Sequence, residues 1–306
     1  MLRAAFIALS ENRPLRQIAE RSSIGQRVSS RFVAGITVDE ALRATAATNA
    51  LGMSVSLDNL GENVTNADEA HHSAQLYHEL LDRIMERKLD ANVSLKLTHM
   101  GFDIDQQLAT GIVSSLVQHA RRQRSFVRVD MEGSPYTQRT LDLVQEIHGQ
   151  NGNRGTVGAV VQAYLRRSEA DVQRLIAQGI RIRLCKGAYQ EPPEIAFPDK
   201  ADVDANYVKL TKILLKSGIF HGIATHDEKM IDATIRFAEA EKIPATAFEF
   251  QMLYGVRRDL QRDLVKRGWR MRVYIPFGTE WYPYFMRRLA ERPANALFIA
   301  KNLFRQ

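Results

Sequence analysis

The chain has 306 residues, of which 45% are hydrophobic and 25% charged, a composition typical of a globular protein with a large core and not of a disordered one. Its single cysteine excludes an internal disulfide framework and a cysteine-rich metal cluster. The net charge of +7 is compatible with anionic partners, but the basic residues are spread along the chain, which disfavours a nucleic acid.

Residues 1–50 are predicted to form N-terminal helices ahead of the main domain. The segment from Met1 to Ser10 lacks the small-residue cleavage pattern of a secretory signal, so we expect it to belong to the mature protein. No stretch approaches the roughly 20 apolar residues that a membrane-spanning helix needs. We therefore expect a cytoplasmic protein whose contact with the inner face of the cell membrane is at most peripheral.

Eight short segments rich in β-branched residues follow, and each is predicted to be a strand. They begin at Met53, Asn92, Phe126, Val157, Ile180, His221, Thr246 and Arg270. Segments with helical spacing lie between them, for example from His71 to Arg87. This alternation indicates parallel strands joined by helices, and eight units favour a closed barrel over an open sheet. The predicted fold class is α/β, a (βα)8 barrel of the TIM type with an N-terminal helical arm.

Sequence motifs for other nucleotide-binding folds are missing. No Gly-x-Gly-x-x-Gly fingerprint follows the first strand, and there is no Walker loop. We also find no repeat and no linker. Residues 51–306 are therefore predicted to form the barrel and a final helix, within a single domain that spans 1–306.

Polar residues alternate with apolar ones in several predicted strands. Lys96, Asp130, Arg183 and Tyr274 are flanked by apolar residues and should therefore point into the barrel. Because buried unpaired charge is costly, they should pair with each other or with a ligand. An internal ion-pair network is the more frequent explanation for any one of them. The set together favours a ligand, since these residues cluster at the carboxyl ends of strands, where barrel enzymes place their sites.

The last predicted helix carries two neighbouring arginines. At about 100° per residue, Tyr284, Arg287, Arg288 and Glu291 fall on the face opposite the apolar one. Adjacent guanidinium groups suit a carboxylate or a phosphate. A solvated helix face with an Arg287–Glu291 ion pair is the alternative.

Histidines and lysines leave further readings open. The eight histidines form no metal-binding pattern, so we predict no metal. His226 ends a predicted strand, where it could donate to a phosphate, and a structural role is equally compatible with its position. Lys96 and Lys186 raise a different function, because a desolvated lysine in a barrel can form a Schiff base, as in class I aldolases.

Taken together, these motifs resemble the proline dehydrogenases, in particular the monofunctional bacterial type. The similarity lies in SLKL with Lys96, RVDME with Asp130, VVQAY with Gln162, RLCKGAY from Arg183 to Tyr189, ATHD with Thr225 and His226, FEFQMLYG with Leu253, RVYIPFG with Tyr274, and WYPYFMRRLAERPAN. The KGAY segment together with a Tyr-x-x-Arg-Arg-x-x-Glu helix is highly specific. The resemblance implies a distorted (βα)8 barrel that binds FAD, oxidises L-proline to Δ1-pyrroline-5-carboxylate and passes electrons to membrane quinone, the first step of proline catabolism to glutamate.

The resemblance also implies roles for single residues. Arg287 and Arg288 would clamp the substrate carboxylate, and Lys96 would reach the same group from the barrel floor. Asp130 and Arg183 would be catalytic, with Asp130 holding Tyr274 and Arg183 near the reactive edge of the flavin. Tyr274, Tyr284 and Leu253 would line the substrate site. The other cofactor contacts would come from Met131, Gln162, Lys186, Gly187, Ala188, Thr225, His226 and Glu291.

The sequence departs from the family at two places and lacks segments of the larger relatives. Cys185 stands where related enzymes often carry an aliphatic residue, and Gln190 where the bifunctional relatives carry an aromatic one, which bears on flavin stacking. No aldehyde dehydrogenase segment and no DNA-binding segment is present. We therefore expect a separate pyrroline-5-carboxylate dehydrogenase to consume the product.

Overall fold

A closed barrel of eight parallel strands forms the centre of the molecule. The computed structural model describes residues 29–61, 64–150 and 152–291, with their side chains up to residue 286. The strands are β1 (Ser54–Asn59), β2 (Ala91–Leu95), β3 (Val127–Val129), β4 (Val157–Gln162), β5 (Arg181–Cys185), β6 (His221–Ala224), β7 (Phe248–Leu253) and β8 (Met271–Phe277). Each strand pairs with the next, and β8 pairs with β1. The predicted barrel and its eight predicted strands are confirmed.

Helices alternate with the strands in the described part of the chain. They are α1 (Val38–Asn49), α2 (Ala67–Glu86), α3 (Gln106–Arg122), α4 (Ser134–Gly149), α5 (Ser168–Ala177), α6 (Lys200–Lys216), α7 (Glu228–Ala240), α8 (Arg258–Lys266) and α9 (Trp281–Glu291). α1 precedes β1, and each later helix follows one strand. Of the predicted N-terminal helices, α1 is present, while residues 1–28 lie outside the described residues. Within the described ranges, no helix has the length and apolar character needed to cross a membrane.

Local signals place the helix ends. The helix predicted from His71 to Arg87 is α2, which begins four residues earlier. It begins there because the Asn66 side chain accepts a hydrogen bond from the Glu69 amide (3.0 Å) and caps the first turn. At α1 the cap is a capping box, in which Thr37 and Glu40 each bind the other's backbone amide. Such caps stabilise a helix by about 1 kcal/mol.

Strand alternation separates the core from the barrel interior. In β5, Ile182 and Leu184 are fully buried in the apolar layer between strands and helices, while Arg183 contacts side chains from other strands inside the barrel. A slip of one residue would exchange these faces and expose apolar side chains that each contribute roughly 1.5–3 kcal/mol on burial. The register of β5 therefore fixes the side on which Arg183 lies.

The final helix packs on the segment that leads into α1. Phe32 and Phe285 have ring centroids 6.1 Å apart, and Trp281 lies in the same cluster. Tyr284, predicted on the polar face of this helix, is instead 6% exposed and belongs to that cluster. The prediction of a polar face was wrong at this position, because the helix is covered on both arcs over its first six residues. The side chains of Arg287, Arg288 and Glu291 lie outside the described residues.

Candidate active site

Asp130 forms the centre of a hydrogen-bonded network at the carboxyl ends of the strands. It directly follows β3, and its carboxylate binds the Arg183 guanidinium (Nη1–Oδ1 2.6 Å). The Tyr274 hydroxyl of β8 donates to its other oxygen (2.8 Å), and the Ser94 hydroxyl of β2 donates to Oδ1 (2.7 Å). Three of the four residues predicted to point inward thus meet in one cluster. The expected contact between Asp130 and Tyr274 is present.

Arg183 is held on several sides. Its Nε donates to the Gln251 amide oxygen of β7 (2.6 Å), and its Nη1 also lies 3.2 Å from the Ser94 hydroxyl. The guanidinium carbon is 5.1 Å from the centroid of the Tyr274 ring. With 7% of its surface exposed, Arg183 is a positive charge whose position is set before any ligand binds.

Lys96 has a buried partner that we did not predict. Its ammonium lies 3.1 Å from Asp58 Oδ2, and Asp58, near the carboxyl end of β1, is 1% exposed. Burial raises the pKa of the Asp58 carboxyl, and nearby Asp130 raises it further, whereas Lys96 opposes both. Lys96 follows the last residue of β2, so its expected position at the barrel floor is wrong. It lies at the same end of the barrel as Asp130.

Tyr274 is a neutral phenol in this setting. Burial raises its pKa well above the ordinary value, and the nearby Asp130 and Asp58 carboxylates add to the effect. The hydroxyl therefore keeps its proton and remains a donor to Asp130. Its ring lies beside the Arg183 guanidinium.

A second group of polar contacts joins β4 to the loops around it. The Gln162 amide donates to the Glu132 carbonyl (3.0 Å), and its oxygen accepts a long hydrogen bond from the Ala188 amide (3.4 Å). The Glu132 carboxylate accepts from the Thr98 hydroxyl (2.7 Å). Met131, beside Glu132, is 7% exposed. The predicted cofactor residues Gln162 and Ala188 therefore touch each other, and Met131 lies in the adjoining loop.

The loop after β5 passes close to an aromatic ring. Gly187 has φ of +124°, and a Cβ atom at this position would lie 2.3 Å from the Tyr164 ring. Residues 187–190 are exposed. Glu191 ties the loop to the start of α4, since its carboxylate accepts from the Ser134 amide (2.7 Å). The backbone here is thus fixed at both ends and open to solvent between them.

Lys186, at the start of that loop, is bound by two carboxylates. Its ammonium contacts Asp204 of α6 and lies 2.8 Å from Asp227. Lys200 also pairs with Asp204. The pKa values of Asp204 and Asp227 are lowered despite burial, with Lys186 as the largest lowering cause in both. Lys186 therefore connects β5 to α6 and α7.

Thr225 and His226 follow β6 and bind neighbouring backbone. The Thr225 hydroxyl accepts from the Asp227 amide (3.1 Å), and His226 Nε2 accepts from the Leu253 amide (2.9 Å). Because Nε2 is an acceptor, the ring proton of neutral His226 lies on Nδ1. This hydrogen bond is compatible with the structural role considered above, and the cofactor role of His226 stays a prediction. Leu253, at the end of β7, is half-buried.

An internal ion-pair network lies deeper in the barrel. Arg272 of β8 binds Glu249 of β7 (2.7 Å), and Gln251 donates to the same carboxylate (2.7 Å). Gln251 therefore connects this pair to Arg183. The network explanation that we kept open for single charged residues holds for this layer. At the mouth, Lys96 pairs with Asp58 and Arg183 with Asp130, so ion pairing continues to the ends of the strands, and a ligand site there stays a prediction.

Sequence reasoning missed several members of the site. Asp58, Ser94 and Gln251 each contact one of the predicted residues. The alternation rule that identified Arg183 applies equally to Ser94 and Gln251, which each lie between two apolar residues, whereas Asp58 lies between Leu57 and the polar Asn59. Within the described ranges, no group of three or more His, Cys, Asp or Glu side chains is arranged to hold a metal ion.

Fold and site define a TIM-type barrel protein with a pre-formed polar site at the carboxyl ends of its strands, the arrangement of barrel enzymes. Comparison with known families identifies the kind of barrel. The family profile described as proline dehydrogenase matches residues 41–301. The chain belongs to the proline dehydrogenase family.

Individual relatives agree with this assignment. Proline dehydrogenase 1 of Bacillus subtilis subsp. natto is 39% identical over 307 residues, covering 100% of both chains. A proline dehydrogenase of Deinococcus radiodurans is 37% identical over 308 residues, covering 100% of this chain and 98% of the relative. Among solved structures, proline utilization A (PutA) from Bdellovibrio bacteriovorus, inactivated by N-propargylglycine, superimposes with a TM-score of 0.81 at 28% identity. That match covers 86% of this chain and 32% of the PutA chain, so this chain spans about a third of that protein's length.

Proposed function

We propose that the protein is a flavoenzyme that oxidises L-proline to Δ1-pyrroline-5-carboxylate. The observation that carries this proposal is the Arg183–Asp130–Tyr274 network at the barrel mouth, in a chain of the proline dehydrogenase family. FAD, when bound, would supply the acceptor for the hydride that leaves carbon C5 of the substrate. The chain's own residues would bind the substrate, orient it and hold the polar groups of the site in fixed positions.

The residues around the loop after β5 fit a flavin cofactor. The exposed backbone at Gly187 lies against the Tyr164 ring, in a conformation that favours glycine. The long contact between Gln162 and Ala188 leaves both groups able to bind a ligand. The Lys186 ammonium has three N–H donors, and Asp204 and Asp227 accept from it. We propose that Gln162, Lys186 and Ala188, with Met131, Gly187, Thr225, His226 and Glu291, hold FAD.

Arg183 would contribute a fixed positive charge beside this cofactor. Arg183, as a pre-oriented cation, would stabilise negative charge that a bound FAD would gain in the reaction, without reorganisation of the protein. Asp130 and Gln251 hold the guanidinium from two sides, so they act on the reaction through Arg183. Asp130 is therefore proposed as a positioning group for Arg183 and Tyr274 together.

Substrate binding would depend on a carboxylate clamp. Lys96 is paired with Asp58, and Arg183 with Asp130, so these charges cancel within each pair. We therefore assign the net positive charge that selects a carboxylate to Arg287 and Arg288, with Lys96 as a third donor. Positive charge near the ring nitrogen lowers the pKa of the amine and favours the neutral form, whose lone pair hydride loss requires.

Orientation of the bound ring is the second contribution of the protein. Tyr274, Tyr284 and Leu253 are proposed as its walls. A carboxylate fixed at one end and aromatic walls at the other leave the ring few orientations. Positioning of this kind supplies several of the roughly 7–11 kcal/mol that orientation can contribute to catalysis.

The Schiff-base lyase is the weaker candidate. A Schiff-base lysine needs its nitrogen lone pair to attack a carbonyl, yet the side-chain nitrogens of Lys96 and Lys186 are each engaged by carboxylates. Borohydride in the presence of a carbonyl substrate should therefore trap neither lysine.

The electron acceptor and the cellular setting are part of the same proposal. We propose that electrons pass to membrane quinone, reached by peripheral contact from the cytoplasmic side. The product would pass to a separate pyrroline-5-carboxylate dehydrogenase. These assignments rest on the family to which the chain belongs and on the single cysteine, which is typical of a reducing compartment.

Activity of an Arg183 variant tests the proposed reaction. The FAD-loaded protein should reduce a soluble quinone analogue when L-proline is added. Arg183→Gln should lower kcat/KM by about 100-fold or more, because removing a buried charge-assisted group costs on the order of 3 kcal/mol. Arg262→Gln is the control, since Arg262 is exposed on the outer helix α8. An active Arg183→Gln protein would overturn the assignment.

A further inference from the structure

Arginine and phenylalanine side chains alternate at the amino-terminal end of the barrel, opposite the candidate active site. The order is Arg128, Phe126, Arg181, Phe220 and Arg270, which we call the arginine stack. Successive distances from guanidinium carbon to ring centroid are 4.7, 4.4, 4.8 and 5.1 Å. Each member lies in, or directly before, the first residues of β3, β5, β6 or β8. The stack therefore lies across the end of the barrel at which the strands begin.

The three arginines of the stack have no carboxylate partner among the described residues. Arg128 is 3% exposed, and its Nη1 donates to the carbonyls of Ala159 (2.8 Å) and Arg181 (2.7 Å). Arg181 makes one weak hydrogen bond, from Nε to the Phe220 carbonyl (3.4 Å). The nearby Glu249 carboxylate is bound by Arg272. Three positive charges thus stand together with no carboxylate in direct contact among the described residues, and Glu249 offsets them only from a distance.

The surrounding surface has the same sign of charge. We define the amino-terminal face as the last four residues of helices α1 to α8, the loop after each and the first residue of the next strand. Its basic residues are Arg83, Arg87, Lys88, Arg121, Arg122, Arg124, Arg154, Arg174, Arg181, Lys216, Lys242, Lys266, Arg267 and Arg270, and its acidic ones are Glu86, Asp90, Glu146, Glu239, Glu241 and Asp263.

The excess of basic over acidic residues on this face is larger than a preference for basic residues at helix ends explains. Basic residues favour the carboxyl ends of helices, but many of these arginines lie in loops or strands. Arg83, Arg87 and Arg174 pair with carboxylates just outside the face, and the remaining balance is still positive. Such a face raises the local concentration of anions.

We propose that the arginine stack is a binding site for a phosphate group, with Arg181 and Arg270 as its two forks. The phenyl rings cover the guanidinium faces and leave the N–H edges for a ligand, and paired forks match the geometry of phosphate oxygens. Arg270 is exposed, so its side chain has the freedom to close on an anion held by Arg181. Arg128 adds a fixed charge behind them.

Electrostatics within the barrel end supports an anion at this position. Burial lowers the pKa of Arg128 well below its ordinary value, and Arg183 and Arg181 lower it further. Burial also lowers the pKa of Arg181. The Glu249 carboxylate opposes this effect, whereas Arg272 and Arg270 lower the pKa further. A bound dianion would relieve this mutual repulsion, and its binding should therefore stabilise the folded protein.

Calorimetric titration with inorganic phosphate tests the site. At matched ionic strength set with chloride, which separates binding from screening, the full chain should bind phosphate saturably. Arg270→Gln should weaken this binding about tenfold or more, the loss expected for one charge-assisted hydrogen-bonding group. Arg181→Gln should weaken phosphate binding to a similar degree. If Arg181→Gln fails to fold, the binding measured with Arg270→Gln decides the test.

Arg139→Gln is the matched control. Arg139 also stacks on a phenylalanine (4.3 Å from the Phe102 centroid) and donates to the carbonyl of that residue (3.4 Å), but it lies on α4 outside the stack. Its loss should leave phosphate affinity unchanged. Failure of the native protein to bind phosphate saturably, or equal binding by native protein and Arg270→Gln, would overturn the free-ion form of the site.

A second arm asks whether the phosphate belongs to a lipid headgroup. Leu51 and Met85 are 49% and 48% exposed beside the same face, an apolar addition that suits a bilayer surface. Vesicles of phosphatidylglycerol, but not of phosphatidylcholine, should then sediment the native protein, and free phosphate should compete. Phosphate binding without sedimentation identifies a free ion. If neither arm responds to Arg270→Gln, the stack only closes the barrel and the proposal fails.

Discussion

Arg183 receives its contacts from five other strands or strand ends of the barrel, including a long one to the Ser56 hydroxyl of β1 (3.5 Å). Gln251, Ser94 and Asp130 bind its guanidinium, and the Tyr274 ring lies beside it. Each of these contacts exists in the protein alone, so a ligand meets a group whose orientation is already determined. In polar sites, such pre-orientation accounts for much of the stabilisation of developing charge.

Replacement of Asp130 should disturb this arrangement more than replacement of Tyr274. Asp130→Asn removes the charge that binds Arg183 and one acceptor for its other partners, so we expect kcat/KM for proline to fall about 100-fold. Tyr274→Phe removes one neutral donor, and we expect about a tenfold loss. Steady-state kinetics of both variants checks the order. A larger loss in Tyr274→Phe would show that Asp130 does not act through Arg183.

Gly187 offers a second test at the scale of single residues. Gly187→Ala places a methyl group 2.3 Å from the Tyr164 ring, whereas Gly218→Ala, also at positive φ, meets nothing within 4 Å. Both substitutions carry a backbone cost, which is the larger at Gly187 because its φ of +124° lies further from the left-handed helical region than the +74° of Gly218. We expect Gly187→Ala to lower the free energy of unfolding by about 1–3 kcal/mol more, the cost of overpacking, and to weaken FAD binding. Equal unfolding midpoints of the two variants in urea would show that the loop adjusts to the added methyl group without a loss of stability.

Individual site residues could be predicted where a polar residue alternates with apolar ones along a strand. Asp130, Arg183 and Tyr274 interrupt apolar runs, and the structure brings them together. Gln251 interrupts such a run as well, and Asp58 alternates with Leu57 and Val55. Pairing across the barrel, however, depends on the spatial order of the strands, which no local pattern contains. The roles of Arg287 and Arg288 stay predictions, because their side chains lie outside the described residues.

Strands and helices contribute to the stability of the barrel in different ways. Helices supply the outer apolar layer and the charged ends, while neighbouring strands are tied together by a few buried polar side chains. His221, the first residue of β6, is one of these: Nδ1 accepts from the Ile182 amide of β5 (2.9 Å), and Nε2 lies 3.0 Å from the Ser217 hydroxyl. The ring is therefore neutral, with its proton on Nε2.

This link between β5 and β6 should make stability depend on pH. Burial, with Arg128 and Arg181, lowers the pKa of His221 to about 3, while the unfolded chain retains a value of about 6.5. The unfolded state therefore binds the proton first, so this contribution is complete above pH 6.5 and is lost as the pH falls towards 3, by up to about 1.4 kcal/mol per pH unit. Urea unfolding at several pH values should show a shallower decline for His221→Gln. Parallel curves would exclude His221 as the cause.

Predicted elements agreed with the structure because periodicity is a local property. All eight strand segments are present, and α2 differs from its prediction mainly at its start, where the Asn66 cap begins the helix earlier. The polar face predicted for α9 failed at Tyr284 because packing against the segment around Phe32 covers it. Contacts of this kind join residues far apart in sequence, so helical spacing cannot reveal them.

The barrel as a whole separates two kinds of surface. Its carboxyl-terminal end carries the network around Asp130, and its amino-terminal end carries the arginine stack. Closure of the sheet between β8 and β1 makes each strand depend on both neighbours. Eight strand signals could predict closure, whereas the charge difference between the ends becomes visible only when loops are assigned to a face.

A closed sheet of this kind should unfold as one unit. We propose that the chain is a single domain, so circular dichroism and tryptophan fluorescence should report the same urea midpoint. FAD should raise that midpoint, since a ligand that binds only the folded state stabilises it. Two separate transitions would show that part of the chain folds independently of the barrel.

Anaerobic titration of the FAD-loaded protein with L-proline tests the proposed reaction most directly. The visible flavin absorption should bleach as proline is added, and tetrahydro-2-furoate, which keeps the carboxylate but lacks the amine, should slow the bleaching by competition without causing it. A folded protein that takes up no FAD, or one whose flavin spectrum is unchanged by proline, would contradict the assignment of this barrel as a proline-oxidising flavoenzyme.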